Sequence, residues 1–376
     1  MNIQQLKEEI TAVSDPRRKY GNLRHKLEDI IIIGLLSTIC LGEDFADMEE
    51  FGTEREDWLR GFLELPNGIP DSDTFRRVFE RLKPDELSKC IFNWLDEKRE
   101  PGSVINIDGK TIRGSGNAEH KAYHVVSAWA AENQITLGQI QVDEKTNEIT
   151  AIPELLNMFD VEGSIITTDA MGCQKVIVSQ IIDSKADYVI GLKGNQGNLF
   201  EDARLYFERE SVPKLLEGPE KGHGRIETRE YFLETDIEWL EHKSVWRGLN
   251  AIGAVHSTVE EKGRERQETR YFITSLTDIV DFAYAVRKHW SIENQLHWNL
   301  DVIFHEDASR ARKDNSPLNL NILRKTALSL ARKTDLGRKR LGARKKMLKA
   351  ALNHNVLSKI QCQQLKGRSR FALNTY

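Results

Sequence analysis

The chain has 376 residues, 39% of them hydrophobic, which is enough apolar material for a large buried core in two or three domains. Its four cysteines stand far apart without a C-x-x-C pair, which excludes a disulfide framework and a cysteine-based zinc site and favours a reducing cytosol; they are Cys40, Cys90, Cys173 and Cys362. The net charge of −4 hides an asymmetry, because residues 311–376 carry 17 Lys and Arg against two acidic residues. This basic segment predicts a polyanionic partner, although a solvated charged helix has the same composition.

Residues 1–97 are typical of a helical domain. The first ten residues, MNIQQLKEEI, lack the charged-then-apolar layout of a signal peptide. The longest apolar run, residues 30–42, is too short to cross a hydrocarbon core of roughly 30 Å and indicates a buried helix. Asp71 and the residues after it predict a capped helix over FRRVFERL. We expect a cytoplasmic protein, which would associate with the nucleoid when bound to DNA.

After Pro101 the sequence changes to short β-branched runs, SVINID, YHVVSAWA and ITLGQIQV. A helical segment EITAIPELLNMF, a strand SIITTD, a helix CQKVIVSQIID and a strand DYVIGLKG follow. The order βββαβαβ predicts a mixed α/β sheet, which the RNase H-like fold shares with other folds. Residues 196–280 predict an inserted β-rich subdomain, and helical periodicity resumes at Asp281. We expect a catalytic domain over residues 98–310 and a basic helical region over 311–376.

Two predicted strands each end in an aspartate that is followed by small residues. Asp108 ends the strand VINID and precedes Gly109, and Asp169 follows SIITT and precedes Ala170. Because α/β sheets bind ligands at the carboxyl ends of their strands, the two acids are candidates for one site. Singly, each has a plainer explanation, since Asp-Gly is a common turn and aspartate often caps a helix. As neighbours they would repel each other unless they shared a cation.

Helical periodicity indicates the third acid, Glu293. It lies in the middle of one helix face, formed by Val286, His289, Leu296 and Leu300. We therefore expect Glu293 to face the core, where a carboxylate needs a cation or several donors. This favours metal coordination over the alternative, an ion pair with Arg287 or His289.

Glu306 and Asp307 are the competing acids. They lie in the charged segment FHEDASRARKD ahead of Pro317, which indicates a solvated helix end.

Oxygen ligands suit Mg²⁺ or Mn²⁺ better than zinc. Two such ions, held by Asp108, Asp169 and Glu293, would activate an attacking oxygen and stabilise the leaving one at a phosphodiester. The predicted chemistry is phosphoryl transfer on DNA.

Seven segments together resemble a known family. In chain order they are IDGKTIRGS, NEITAIPELLNM, IITTDAMGCQK, GLKGNQG, HGRIETR, HWSIENQLHWNLDV and FHEDASR. They are similar to the H-repeat-associated proteins, which are insertion-sequence transposases of the DDE class. The resemblance runs from about Lys26 to the C-terminal helices and rests on several long motifs in the right order.

The resemblance implies an RNase H-like catalytic core, a divalent metal and an N-terminal transposase-associated domain. By matching motif, Asp108 in IDGK and Asp169 in TTDA would be the two aspartates, and Glu293 in HWSIEN the glutamate. Related transposases carry a Tyr-Arg-Glu-Lys signature around this glutamate. Here the spacing from Tyr284 and Arg287 is longer, and Leu300 stands where the lysine is expected. The substitutes that the sequence offers are His289, His297 and Arg310, each with a plainer structural explanation.

Basic residues near the acids or in the β-rich insertion are candidates for DNA contact: Lys110, Lys193, His223, Arg225, Arg229, Arg287 and Arg310. An ordinary charged surface loop would equally explain those in the insertion. The expected DNA partners are the terminal inverted repeats of the element and its target, bound by a homo-oligomer. Two alternatives remain open, an RNase H-like nuclease without strand transfer and a decayed or domesticated transposase that only binds DNA.

Overall fold

The computed structural model describes residues 3–17, 23–96, 102–117, 120–142, 147–209, 212, 214–222, 224–337 and 341–361. No helix in these ranges has the length and apolar character needed to span a membrane. The α-helices are α1 Ile3–Ile10, α2 Leu27–Ile39, α3 Phe45–Glu54, α4 Glu56–Leu59, α5 Ser72–Arg81, α6 Pro84–Asp96, α7 Glu148–Leu156, α8 Lys175–Asp183, α9 Gly197–Arg209, α10 Ile279–Ser291, α11 Trp298–Phe304, α12 Ser316–Lys333, α13 Ala343–Leu352 and α14 His354–Gln361.

The β-strands form one mixed sheet in the described part of the chain. They are β1 Val104–Thr111, β2 His124–Ala130, β3 Ile135–Val142, β4 Ile165–Thr168, β5 Asp187–Leu192, β6 Lys214–Gly222, β7 Arg225–Glu234, β8 Ala251–Glu261 and β9 Arg264–Thr274. Their order across the sheet is β3-β2-β1-β4-β5-β9-β8-β7-β6. β1 pairs antiparallel with β2 and parallel with β4, and β4 pairs parallel with β5. The chain is therefore a mixed α/β protein, as the sequence predicts.

Helix α2, with the largely apolar sequence LEDIIIIGLLSTI, is buried over almost its whole length, packed against α1, α3, α12 and α13. Asp44 starts α3 with a capping box that also uses the side chain of Asp47. The cap expected at the start of α5 is present, because the side chain of Asp71 accepts a hydrogen bond from the Thr74 amide at 2.6 Å.

The segment expected to form a separate β-rich subdomain contains α9 and the strands β6 to β9. These strands extend the central sheet instead of forming a sheet of their own, because β9 pairs antiparallel with β5 from Val189–Thr274 to Leu192–Tyr271. The charged segment VEEKGRERQ is mostly the end of the β8–β9 hairpin, which pairs as far as Glu261 and Arg264. Lateral strand pairing thus joins this segment to the sheet that carries the candidate site.

Alternation along β1 separates the two faces of the sheet. Ile105 and Ile107 pack into one core with α7 and α8. The intervening Asn106 faces α10, where its amide donates to the Lys288 carbonyl at 2.7 Å and to Ser291 Oγ at 2.9 Å. Even-numbered residues of β1, such as Asn106, therefore face the C-terminal helices, and odd-numbered residues of β1 face α7.

Helix α12 comes from the basic segment that the sequence suggested as a DNA-contacting region. It is buried along most of its length and packs against α2, α5, α6 and β3. Arg324 and Lys325 therefore lie in the interior, so the alternative of a solvated charged helix is wrong for this part of the basic segment. The Arg338–Arg340 cluster and Cys362 lie outside the described residues.

Candidate functional site

Asp108 and Asp169 lie side by side on neighbouring strands. β1 and β4 are parallel, and Ile107 lies opposite Thr168. Asp108 follows Ile107 and Asp169 follows Thr168, so the two aspartates come next in the chain after paired residues. Asp169 follows the last residue of β4 and accepts a hydrogen bond from the Met171 amide at 2.9 Å. β1 continues three residues past Asp108, to Thr111, so the expected strand end was too early. The structure brings the two aspartates together.

Glu293 reaches the same place by a route that the sequence pattern does not predict. The helix changes to a π-helix over Ile292–His297, in which the Trp298 amide bonds to the Glu293 carbonyl. Glu293 is exposed in this segment, whereas Leu296 and Leu300 of the predicted apolar stripe are buried. The prediction that it faces the core is therefore wrong, because the periodicity assumed an unbroken α-helix. Its charge nevertheless acts on Asp108.

The pKa of Asp108 reflects the burial of its side chain and the acids near it. Its side chain is 22% exposed. Burial, reinforced by the negative charges of Glu293, Asp169 and Glu148, raises the pKa of Asp108 to about 7. Burial and Glu148 also raise the pKa of Asp169, against the opposing effects of the Met171 amide and Lys193. We call the four acids Asp108, Asp169, Glu293 and Glu148 the carboxylate edge.

His297 contacts the carboxylate edge from the π-helix. Its Nδ1 lies 3.4 Å from Asp108 Oδ2, and its buried Nε2 has no hydrogen-bond partner among the described residues. Burial, helped by Lys325 and Lys110, lowers the pKa of His297 to about 3, so the ring is neutral and the contact is not an ion pair. His289 is also neutral, since burial lowers its pKa to about 4, and it bonds to Thr167 Oγ1 at 2.9 Å.

Glu306, expected at a solvated helix end, is instead 0% exposed. Lys110 Nζ lies 3.1 Å from Glu306 Oε2, while Oε1 accepts from Asn321 Nδ2 at 2.8 Å and lies 3.6 Å from Arg324. We call Glu306, Lys110, Asn321 and Arg324 the Glu306 network. Although burial opposes it, the charges of Arg324 and Lys110 hold the pKa of Glu306 below its ordinary value. The expectation was wrong because α12 covers this turn and supplies the partners.

Comparison with known proteins identifies the family of the chain. Residues 99–330 match the family model described as transposase DDE domain, and residues 7–95 match the model described as DDE_Tnp_1-associated. The chain belongs to the DDE transposase family. It is 39% identical to "Putative transposase YncI" of Escherichia coli O157:H7 (97% of each chain) and 36% identical to "H repeat-associated putative transposase YhhI" of E. coli K12 (96% of this chain, 98% of the relative). The structure of a piggyBac transposase synaptic complex with hairpin DNA aligns at a TM-score of 0.46 and 12% identity, covering 96% of this chain and 77% of that one.

DDE transposase domains generally use divalent metal ions, and the donor set of this family member fits such ions. Its carboxylate edge offers hard oxygen ligands, and in the described part of the chain no Lys or Arg forms an ion pair with any of the four acids. Across the same described ranges, however, no three His, Cys, Asp or Glu side chains already converge at metal-binding distances. The four acids therefore lie near one another, but no three of them are arranged around a single metal position in the described chain.

Several basic candidates of this DDE-family chain are already paired with acids. Lys110 is 12% exposed and belongs to the Glu306 network, where its neighbour Asp301 accepts at 3.0 Å. Arg229, 10% exposed, lies 2.5 Å from Glu227 and 3.2 Å from Glu220. Arg287 also pairs with Glu220. The charges of these three candidates are therefore already balanced within the protein.

The other basic candidates differ in their surroundings. Lys193 is exposed at the end of β5, and its charge acts on Asp169. Arg225 is exposed, 3.7 Å from Glu227. Arg310 is exposed in a pocket of about 410 Å³ between α3 and the turn after α11. His223 lies outside the described residues. Lys193 is the candidate that lies beside the carboxylate edge.

Sequence reasoning missed Glu148, His124 and Lys325. Glu148 is the first residue of α7, where an acid has an ordinary explanation in the helix dipole. Its signal lay only in the motif NEITAIPELLNM. Lys325 Nζ is fully buried and donates to Ser127 Oγ at 2.7 Å and Gln139 Oε1 at 2.8 Å. Nothing local in the sequence distinguishes this lysine from a surface one.

Proposed function

We propose that this chain is an active DDE transposase, which cuts the ends of its insertion-sequence element and joins them to target DNA. The observation that supports it best is the meeting of Asp108, Asp169 and Glu293 at one sheet edge, where each of the other two raises the pKa of Asp108. Like charges in close quarters cost free energy, so a protein that keeps them has a use for a shared cation.

The proposed catalytic core is RNase H-like. Its support is the order β3-β2-β1-β4-β5, with β1 to β3 antiparallel and β1, β4 and β5 parallel, and with helices on both faces. Asp108 lies on β1 and Asp169 directly follows β4, its parallel neighbour, which supports a shared site for the two aspartates. The effect of Glu293 on the pKa of Asp108 supports the proposal that the π-helix contributes the third acid.

The chemistry proposed is two phosphoryl transfers. In the first, a water oxygen bonds to phosphorus at the element end and loses its proton as the P–O3′ bond breaks, leaving a 3′-hydroxyl and a 5′-phosphate. In the second, that 3′-hydroxyl attacks a target phosphodiester, whose P–O3′ bond breaks. Two Mg²⁺ or Mn²⁺ ions would activate the attacking oxygen and stabilise the leaving one. Asp108, Asp169 and Glu293 would hold them, while the buried His297 keeps bulk water from one side of Asp108.

The DNA partners proposed are the terminal inverted repeats and a target duplex. Lys193 is placed to meet a backbone phosphate, since it is exposed next to Asp169. Two element ends must be cut and joined together, so we propose that a homo-oligomer assembles on DNA.

The test is Mg²⁺-dependent cleavage and strand transfer on a duplex carrying the element's own end. Asp108→Asn, Asp169→Asn and Glu293→Gln should each abolish both reactions, while Glu154→Gln, an exposed acid on α7, should leave them unchanged. Cleavage without joined products would favour the nuclease alternative. Tight end binding without cleavage by the wild-type protein would favour a domesticated DNA-binding protein. Activity retained by Glu293→Gln would remove it from the site.

A further inference from the structure

We infer that Glu148 is a fourth metal-binding carboxylate of the proposed site, positioned by His124 and Thr111. The inference rests on the proposed function, because it adds a ligand to the site that Asp108, Asp169 and Glu293 would form. Glu148 comes from α7, on the opposite face of the sheet from the π-helix that carries Glu293.

The first observation is where the Glu148 carboxylate lies. Gly109, directly after Asp108, faces α7, and a Cβ placed on it would lie 2.3 Å from Glu148 Oε1. The carboxylate therefore occupies the space that a side chain at 109 would need. Helix α7 also packs against the turn Ala170–Gly172, which follows Asp169. These contacts place Glu148 beside Gly109 and near the turn after Asp169, in agreement with its effect on the pKa of both aspartates.

The second observation is how Glu148 is held. His124 Nε2 lies 2.8 Å from Glu148 Oε1, and His124 Nδ1 lies 3.0 Å from Thr111 Oγ1. The tautomer with hydrogen on Nε2 donates to Glu148 and accepts from the threonine hydroxyl, which fixes the ring. A histidine in this role orients the carboxylate and leaves Oε2 available. The Glu148 side chain is 20% exposed, so it is mostly buried, and no Lys or Arg of the described residues pairs with it.

The third observation comes from the other face. His297 places Nδ1 3.4 Å from Asp108, and its buried Nε2 has no partner among the described residues. β1, the end of β4, the π-helix and α7 thus contribute four carboxylates to one edge. No Lys or Arg of the described chain forms an ion pair with them, although the charge of Lys193 acts on Asp169. Two divalent ions would neutralise the remaining negative charge.

The test is Mn²⁺ binding to the full chain without DNA, measured by calorimetry and by electron paramagnetic resonance of the free ion. Glu148→Gln keeps the volume and the contact with His124, and should weaken Mn²⁺ binding about tenfold. Glu154→Gln, on the same helix but exposed, should bind Mn²⁺ like the wild type. The melting temperatures of the metal-free proteins should be equal, because no paired charge is removed.

The role of His124 is tested by two variants. His124→Leu removes the donor and should weaken Mn²⁺ binding, whereas His124→Gln keeps a donor and should restore much of it. An ion pair that only ties α7 to β2 would instead lower the melting temperature and leave Mn²⁺ affinity intact.

Two results would overturn the inference. Wild-type Mn²⁺ affinity in Glu148→Gln, with weakened binding in Asp108→Asn, would refute the fourth ligand and leave the proposed function standing. Unchanged affinity in Asp108→Asn as well would refute both.

Discussion

Strand β1 carries two acidic clusters within two residues of each other, and their electrostatics are opposite. At Asp108, the carboxylate edge brings four acids together without an ion-paired Lys or Arg in the described chain, and the pKa of Asp108 is raised. At Lys110, the Glu306 network buries one acid completely but surrounds it with cations, and the pKa of Glu306 is lowered. Burial is present in both, so burial alone does not indicate function.

The difference lies in what balances the charge. A buried acid with cationic partners is satisfied within the protein and holds elements together. A group of acids without such partners costs free energy until something from outside binds. The two clusters should therefore respond in opposite ways when one acid is neutralised.

The largest effect is expected at the carboxylate edge. Asp108→Asn should reduce DNA cleavage by roughly 10³-fold or more, because the proposed metal ligand is lost. The metal-free variant should melt at the same temperature as the wild type or higher, because a repelled, mostly buried charge has been removed. Cleavage assays and differential scanning calorimetry check the two parts. A clear fall in melting temperature would show that Asp108 is structural.

The reverse is expected in the Glu306 network. Glu306→Gln should lower the free energy of unfolding by roughly 3–5 kcal/mol, since it leaves the buried Arg324 without its acid, while Lys110 keeps Asp301. Urea unfolding measures this loss. The matched control is Glu162→Gln, which breaks the exposed pair with Lys185 and should cost less than about 1 kcal/mol. Equal losses in the two variants would contradict the contrast between the clusters.

Lys325, whose charge acts on Glu306, should make the free energy of unfolding depend on pH. Burial lowers its pKa from 10.5 to about 7, so between these values the unfolded chain holds a proton that the folded protein gives up. The destabilisation is complete below pH 7 and disappears as the pH rises towards 10.5. Relative to Lys325→Met, the wild type should gain up to about 4 kcal/mol over that range. Urea unfolding of both proteins at pH 7 and pH 10 measures this gain in the free energy of unfolding. The same change with pH in the wild type and in Lys325→Met would refute the prediction.

The sequence predicted those features that depend on local pattern. Alternation and β-branched runs identified the strands that carry Asp108 and Asp169, and the parallel pairing of β1 with β4 then places these acids together. The cap at Asp71 was likewise local and correct.

What the sequence could not predict depends on a change of helix geometry or on distant contacts. A π-turn has no simple residue signature, so the periodicity of α10 placed Glu293 on the wrong face. Glu306 looked solvated because its partners, Asn321 and Arg324, come from a later helix. Glu148 looked like an ordinary helix start until Gly109 and His124 were brought beside it.

The smallest predicted effect distinguishes exposed cations from paired ones. Lys193 has no acid within ion-pair distance in the described chain, whereas Arg229 is surrounded by Glu217, Glu220 and Glu227. Lys193→Ala should weaken binding to the element end about tenfold and reduce the salt slope by about one, because one phosphate contact is lost. Lys243→Ala, whose lysine pairs with Glu238, should change neither.

Arg229→Ala should leave the salt slope unchanged, because its charge is already balanced inside the protein. Fluorescence anisotropy at several salt concentrations measures both quantities. If Arg229→Ala reduced the slope and Lys193→Ala did not, the acids around Arg229 would have to release it when DNA binds. The contrast between paired and unpaired charge would then hold only for the DNA-free protein.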